Sequence, residues 1–170
     1  MRRGCRAAWT QYCLFVGAEW TILAPRHAGI TVSDLDRSLE FYCDQLGIEL
    51  LWRRLYEEPE IGRIVGVPEA TGFDIAMLQL PGGDVQIELL EYKGCERHSG
   101  SARPCDWGSG HFALFVDDIQ AAYDDLAAQG VRFRSDAPVE MSAGANRGGK
   151  SLYSLDPDGY VIELHERPPR

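Results

Sequence analysis

The chain has 170 residues, 45% of them hydrophobic and 25% charged, with a formal net charge of −9. That length suits one domain or two small halves sharing a core, and the acidity argues against nucleic acid or an anionic membrane as partner, since both require basic patches. No apolar run is long enough to span a bilayer, and five irregularly spaced cysteines (Cys5, Cys13, Cys43, Cys95, Cys105) form neither a disulfide framework nor a CxxC motif, so a reducing cytoplasm is the expected setting.

Residues 1–24 read as an N-terminal extension that packs loosely. Their opening arginines and short apolar run mimic a secretory signal, but Thr10 and Gln11 interrupt the run. Residues 27–32 alternate, with Ala28, Ile30 and Val32 on one side and His27, Gly29 and Thr31 on the other, which predicts a strand with one face on a core. Ser33 is the predicted helix cap. Leu35, Leu39, Tyr42 and Leu46 then recur as one apolar stripe, and Gly47 ends the helix. Residues 48–56 read as a strand. Residues 57–72, with two prolines and three glycines, read as a loop holding at most a helical turn. Two strands follow, 73–80 and 85–91, around a Pro-Gly-Gly-Asp turn.

Residues 92–110 carry a linker composition rich in Gly, Ser and Pro. The plan then repeats. Residues 111–116 are a strand, Asp117 with Gln120 resembles a capping box, and Ile119, Ala122, Tyr123 and Leu126 form the helix stripe. A short strand over 131–134, a glycine-rich loop over 141–149, and strands over 151–155 and 160–165 around Asp-Pro-Asp-Gly complete the second half. Two βαβββ modules result, 25–91 and 111–166, with a tail at 167–170. His27 superposes on His111, Val32 on Val116 and Asp34 on Asp118 at an offset of 84, which falls to 83 by Gly47 and Gly130, so the two helices differ by one residue.

Each half also ends on a matched strand, VQIELL at 85–90 and YVIELH at 160–165. Alternation sends Ile87, Leu89, Ile162 and Leu164 toward the helices and Glu88 and Glu163 to the opposite face. A lone strand histidine or glutamate is usually surface decoration. A histidine and a glutamate repeated at matched places suit a divalent ion instead, with two neutral imidazoles and two carboxylates balancing its charge. If first and last strands are neighbours, the two pairs look into one concavity.

The segments HAGITVSDLDRSLEFYCDQLGIELL, VQIELLEY, GHFALFVDDI and DPDGYVIELHE together resemble the vicinal oxygen chelate superfamily, over about residues 25–166. That group includes glyoxalase I, methylmalonyl-CoA epimerase, extradiol dioxygenases, fosfomycin-modifying enzymes and bleomycin-binding proteins. The resemblance implies an α+β fold in which two tandem βαβββ modules form an eight-stranded, mostly antiparallel U-shaped sheet around a metal cavity. It matches His27, Glu88, His111 and Glu163 to the family's ligand positions for one divalent ion (Zn, Ni, Co, Mn or Fe). It also implies a homodimer, module exchange between chains being common in the family.

Within that family, four ligands including two glutamates imply a lyase or isomerase of the glyoxalase or methylmalonyl-CoA epimerase type. Such an enzyme moves a proton next to a carbonyl of a small carbonyl or thioester substrate through a metal-stabilised enolate, with Glu163 or Glu88 as base. The ending DPDGYVIEL is close to that of glyoxalase I, yet no pattern for a glutathione pocket is recognisable. Asp74 is the nearest match to a further acid on the epimerase's third strand, and its other reading is an exposed strand-start residue. Asn146 and Arg147, in the glycine-rich loop, are candidate substrate contacts, Arg147 for an anionic group. The alternatives are an extradiol-type dioxygenase using His27, His111 and Glu163, or a non-enzymatic drug-binding protein of the bleomycin-resistance kind.

Overall fold

Alternating strands with one apolar face need a cover, and each helix supplies one. The computed structural model describes residues 23–100 and 103–169, so the extension reading for 1–22 falls outside the described residues. In the first half, β1 (Ala28–Thr31) leads into α1 (Leu35–Leu39), which continues as a π-helix over Glu40–Gln45. Next come β2 (Glu49–Tyr56), a short α2 (Ile61–Val65), β3 (Gly72–Gln79) and β4 (Gln86–Lys93). The second half runs β5 (His111–Val116), α3 (Ile119–Ala128), β6 (Arg132–Phe133), β7 (Val139–Glu140), β8 (Lys150–Leu155) and β9 (Val161–Glu166). No helix of the described residues is long and apolar enough to cross a membrane.

The strands form two sheets, one in the order β1-β4-β3-β2 and one in the order β5-β9-β8-β6, with β7 also on β8. First and last strands of each half pair in parallel and all other pairs are antiparallel. Among the described residues no backbone ladder joins the two sheets, in place of the single eight-stranded sheet the resemblance implies. The extra strand is β7, which continues the β8 edge after Pro138, where a prolyl ring cannot donate to a ladder.

The sheets are joined by side chains. Ile87, Leu89, Ala76 and Leu78 of the first sheet and Leu152, Ile162 and Leu164 of the second lie in one buried cluster with Leu35, Tyr42, Ile119 and Leu126 of the helices. Both helix-side faces therefore share a single core.

Local details depart from sequence expectation in two places. The helix caps are Asp34 and Asp118, which accept from the backbone N–H groups of Arg37 (3.0 Å) and Ala121 (2.9 Å). Ser33 and Asp117 precede them by one position. Ser33 is occupied elsewhere, donating its backbone N–H and its hydroxyl to Asp158 at 2.7 and 2.6 Å. The one-residue difference between the helices sits in the π-helix, where Leu46 N–H reaches back five residues to the Phe41 carbonyl at 3.0 Å. A π-turn accommodates one inserted residue, and here it brings both Phe41 and Tyr42 into the core, leaving Leu39 and Leu46 half-buried. Gly47 and Gly130 end the two helices at φ of 69° and 84°, the left-handed conformation that favours glycine.

Candidate metal centre

Parallel pairing fixes the candidate ligands. Gly29 lies opposite Glu88 on β1 and β4, and Ala113 lies opposite Glu163 on β5 and β9. In each case the histidine is two residues before that position, His27 just ahead of β1 and His111 at the start of β5, hence on the glutamate's face. His27 Nε2 is 3.3 Å from Glu88 Oε2, and His111 Nε2 is 3.2 Å from Glu163 Oε2. Both glutamates are largely buried, with side chains 16% and 14% exposed.

Adjacent donors of a tetrahedral ion, each about 2.0–2.1 Å from it, stand roughly 3.3 Å apart. Each pair has that spacing and the donor types of a transition-metal site. Gly29 adds room: a Cβ there would come within 3.9 Å of Glu88 Oε2 and 3.3 Å of Leu90 Cδ1. The donor chemistry fits a divalent ion. The two pairs do not converge within this chain: among the described residues no three His, Cys, Asp or Glu side chains are placed to hold one metal ion. The reason is the shared core. Ile87, Leu89, Ile162 and Leu164 point into it, so Glu88 and Glu163, alternating with them, point away from it on both sheets.

The second pair contains a residue that the family positions do not name. His165 Nε2 lies 2.9 Å from Glu163 Oε1, and Ser151 Oγ donates to that same oxygen at 2.8 Å. Alternation on β9 already puts His165 on Glu163's face. Ser151 becomes visible only with the β8–β9 register, in which it opposes His165. Tyr153, opposite Glu163, stacks near His111 with ring centroids 5.3 Å apart, and burial and the neighbouring glutamate push its phenol upward in pKa.

Asp74 lies elsewhere. Met77 opposes Glu88, so Asp74, three residues away, takes the helix-side face. There Arg53 donates to it twice, from Nε at 3.1 Å and Nη2 at 2.7 Å, and also pairs with Asp36. The guanidinium hydrogen bonds hold the Asp74 carboxyl below its usual pKa. Asp74 therefore lies on the face opposite Glu88, ion-paired with Arg53, and the fold does not bring it to either His–Glu pair. Asn146 and Arg147 are exposed in the loop between β7 and β8, where Gly148 N–H and Gly149 C=O bond back to Met141 and the Asn146 carbonyl accepts from Gly149. Among the described residues no hydrogen bond or ion pair joins them to either His–Glu pair.

Comparison with known proteins adds the family. The sequence profile of the Glyoxalase/Bleomycin resistance protein/Dioxygenase superfamily matches residues 24–164. The chain is 34% identical over 149 residues to a 2-epi-5-epi-valiolone epimerase of Actinomyces sp., covering 86% of this chain and 80% of that protein. It is 34% identical over 145 residues to the lactoylglutathione lyase of Haemophilus influenzae, covering 82% and 90%. Among solved structures, a glyoxalase family protein from Bacillus cereus shares the fold with a TM-score of 0.75 at 23% identity, over 89% of this chain and 99% of that one. The chain belongs to the Glyoxalase/Bleomycin resistance protein/Dioxygenase superfamily.

Proposed function

We propose that the protein is a divalent-metal-dependent lyase or isomerase that moves a proton next to a carbonyl, acting as a homodimer in which each metal centre takes His27 and Glu88 from one chain and His111 and Glu163 from the other. The observation that carries this reading is the matched strand register of the two His–Glu pairs and their near-equal donor spacing, 3.3 and 3.2 Å. Relatives named as an epimerase and as lyases support the reaction class. The second copy is argued from the outward site faces: Trp52 on Glu88's face and Phe115 on Glu163's face are exposed large apolar side chains. Such a pair of apolar faces is what a partner chain would cover, and joining the two faces would form the U-shaped sheet around the cavity.

An ion bound by the four residues supplies Lewis-acid polarisation of a substrate oxygen. His27 and His111 would hold the ion together with Glu88 and Glu163, whose carboxylates would balance its charge, and one carboxylate would remove and return the proton. Largely buried, the two carboxylates would be shielded from bulk water. An open His-His-Glu arrangement of the dioxygenase kind fits less well, because Glu88 stands beside His27 and fills the fourth position.

The test combines metal analysis of chelator-free protein with His111→Ala and Glu88→Ala, and size-exclusion chromatography with light scattering. About one ion per chain, lost in both variants, and a dimer are expected. Metal content unchanged in both variants, or a monomer holding a full complement of metal, would refute the site as drawn. Epimerisation of 2-epi-5-epi-valiolone and of methylmalonyl-CoA in deuterated water, beside a hemithioacetal assay and catechol oxygen uptake, assigns the reaction.

A further inference from the structure

The two His–Glu pairs share a register and differ in what surrounds the glutamate. Around Glu163 stand Ser151, Tyr153 and His165 on the same face, with Ser151 Oγ at 2.8 Å and His165 Nε2 at 2.9 Å from Oε1. That leaves Oε2 for His111 at 3.2 Å. The matched positions around Glu88 are Ile75, Met77 and Leu90. Among the described residues the only polar contact of the Glu88 carboxylate is His27. One carboxylate has an oxygen held from two sides and the other lies among aliphatic side chains with its rotamer unfixed by any second donor.

Partners behind a ligand carboxylate fix which oxygen faces the ion and reduce the conformational freedom lost on binding. Resting on the metal reading above, we propose that His165, together with Ser151, is a positioning clamp that makes Glu163 the fixed carboxylate of the centre. Glu88, which among the described residues lacks such partners, would be the less constrained of the two carboxylates. His165 is suited to the task by its place: two residues along β9 on the same face, it reaches the same carboxylate from the side away from His111's strand position, and its side chain is only 16% exposed, beside Phe115 with ring centroids 6.0 Å apart. Among the described residues its Nδ1 is buried without a partner and the ring's one polar engagement is with Glu163.

The experiment is a Zn(II) competition titration of the full-length protein against a chromophoric chelator, without substrate, on His165→Leu, His165→Gln, Ser151→Ala, Glu163→Gln, Glu88→Gln and His111→Ala. Loss of a partner behind a metal ligand costs about 10- to 100-fold in affinity, which is the expected result for His165→Leu. Ser151→Ala should show a smaller loss, and His165→Gln, which keeps a donor at similar reach, should recover most of the affinity. Glu88→Gln should weaken Zn(II) less than Glu163→Gln. Melting temperatures in excess chelator should match wild type, because a clamp on a ligand, unlike a packing residue, adds little to the metal-free fold. Wild-type affinity in His165→Leu and Ser151→Ala, with Glu163→Gln impaired, overturns the clamp. Abolition of binding in His165→Leu to the extent seen in His111→Ala overturns it as well, by making His165 a ligand. Wild-type affinity in both Glu163→Gln and His111→Ala is the distinct result that removes the metal reading and the clamp with it.

Discussion

Deleting the Tyr42 hydroxyl should cost the fold about 2 kcal/mol, because a hydrogen bond to a charged group contributes roughly 1.5–3 kcal/mol. Tyr42 is wholly buried on the first helix and donates to Asp156 Oδ2 at 3.0 Å across the boundary between the modules. Asp156 is 1% exposed, and its other oxygen accepts from the backbone N–H groups of Tyr160 (2.7 Å) and Asp158 (2.9 Å). Tyr42→Phe leaves Oδ2 buried with no donor. For a chain of this length about 2 kcal/mol corresponds to roughly 4–8 °C in melting temperature. The assay is urea unfolding at one fixed protein concentration, since association would add its own stability, with Asp156→Asn and the double variant completing a cycle.

The pH dependence of that loss follows from the same contact. Burial raises the Asp156 carboxyl above its usual pKa, and the Tyr42 hydroxyl acts against the shift by favouring the ionised form. A raised carboxyl adds stability that is complete below the unfolded value, about 3.9, and is lost as pH rises through the folded value. Without Tyr42 the ionised form loses a donor, so the Tyr42→Phe penalty should grow from acid toward neutral pH. A penalty under about 0.5 kcal/mol at neutral pH, or strict additivity in the cycle, refutes the clamp between Tyr42 and Asp156.

Two further outcomes are expected. Asp74→Asn should leave Zn(II) affinity and turnover at wild-type values, since Asp74 faces away from Glu88, and should cost about 1 kcal/mol as an ion pair whose Arg53 side is partly exposed. Its carboxyl is lowered by Arg53, so its contribution is present above the ordinary carboxylate pKa and lost as pH falls through the lowered one; variant and wild type should converge on acid unfolding. Gly62→Ala should destabilise by about 1–3 kcal/mol, because a Cβ there would lie 2.8 Å from the Val67 carbonyl oxygen and 3.0 Å from that of Pro68, and a thermal melt reads the loss.

The elements legible in the sequence are those with a strong period. Alternation around Ile30 and Val32, and around Ile87 and Leu89, identifies strands with one buried face, and those four side chains are buried. The drop in offset from 84 to 83 between the repeats marks a one-residue difference between the helices, and only the hydrogen bonds show that a π-turn absorbs it. Contacts set by register between distant strands were not legible. Asp74 changes face relative to Glu88 only through the β3–β4 pairing, and Ser151 meets Glu163 only through β8–β9. The Asp-Pro-Asp-Gly turn reads locally as a turn, while its side chains reach residues more than a hundred positions away.

That turn explains why the repeat does not close on itself. Asp158 accepts from Ser33 twice and from Arg37 Nη2 at 2.8 Å, at the start of the first helix, while Asp156 holds Tyr42 in its middle. Among the described residues the matching turn of the first module, with Asp84 at its end, makes no such bond to the second helix; Gln79 closes it locally through the Gly83 and Val85 carbonyls. The latch is therefore one-sided, and it ties the first helix to the turn that feeds β9. Two sheets held together through their helix sides must turn their other faces outward, because a strand has only two faces. The His–Glu pairs occupy those outward faces. A chain built this way keeps its two half-sites apart for the same reason that it keeps its core together, and the proposed second copy is what would bring one His–Glu pair to the other.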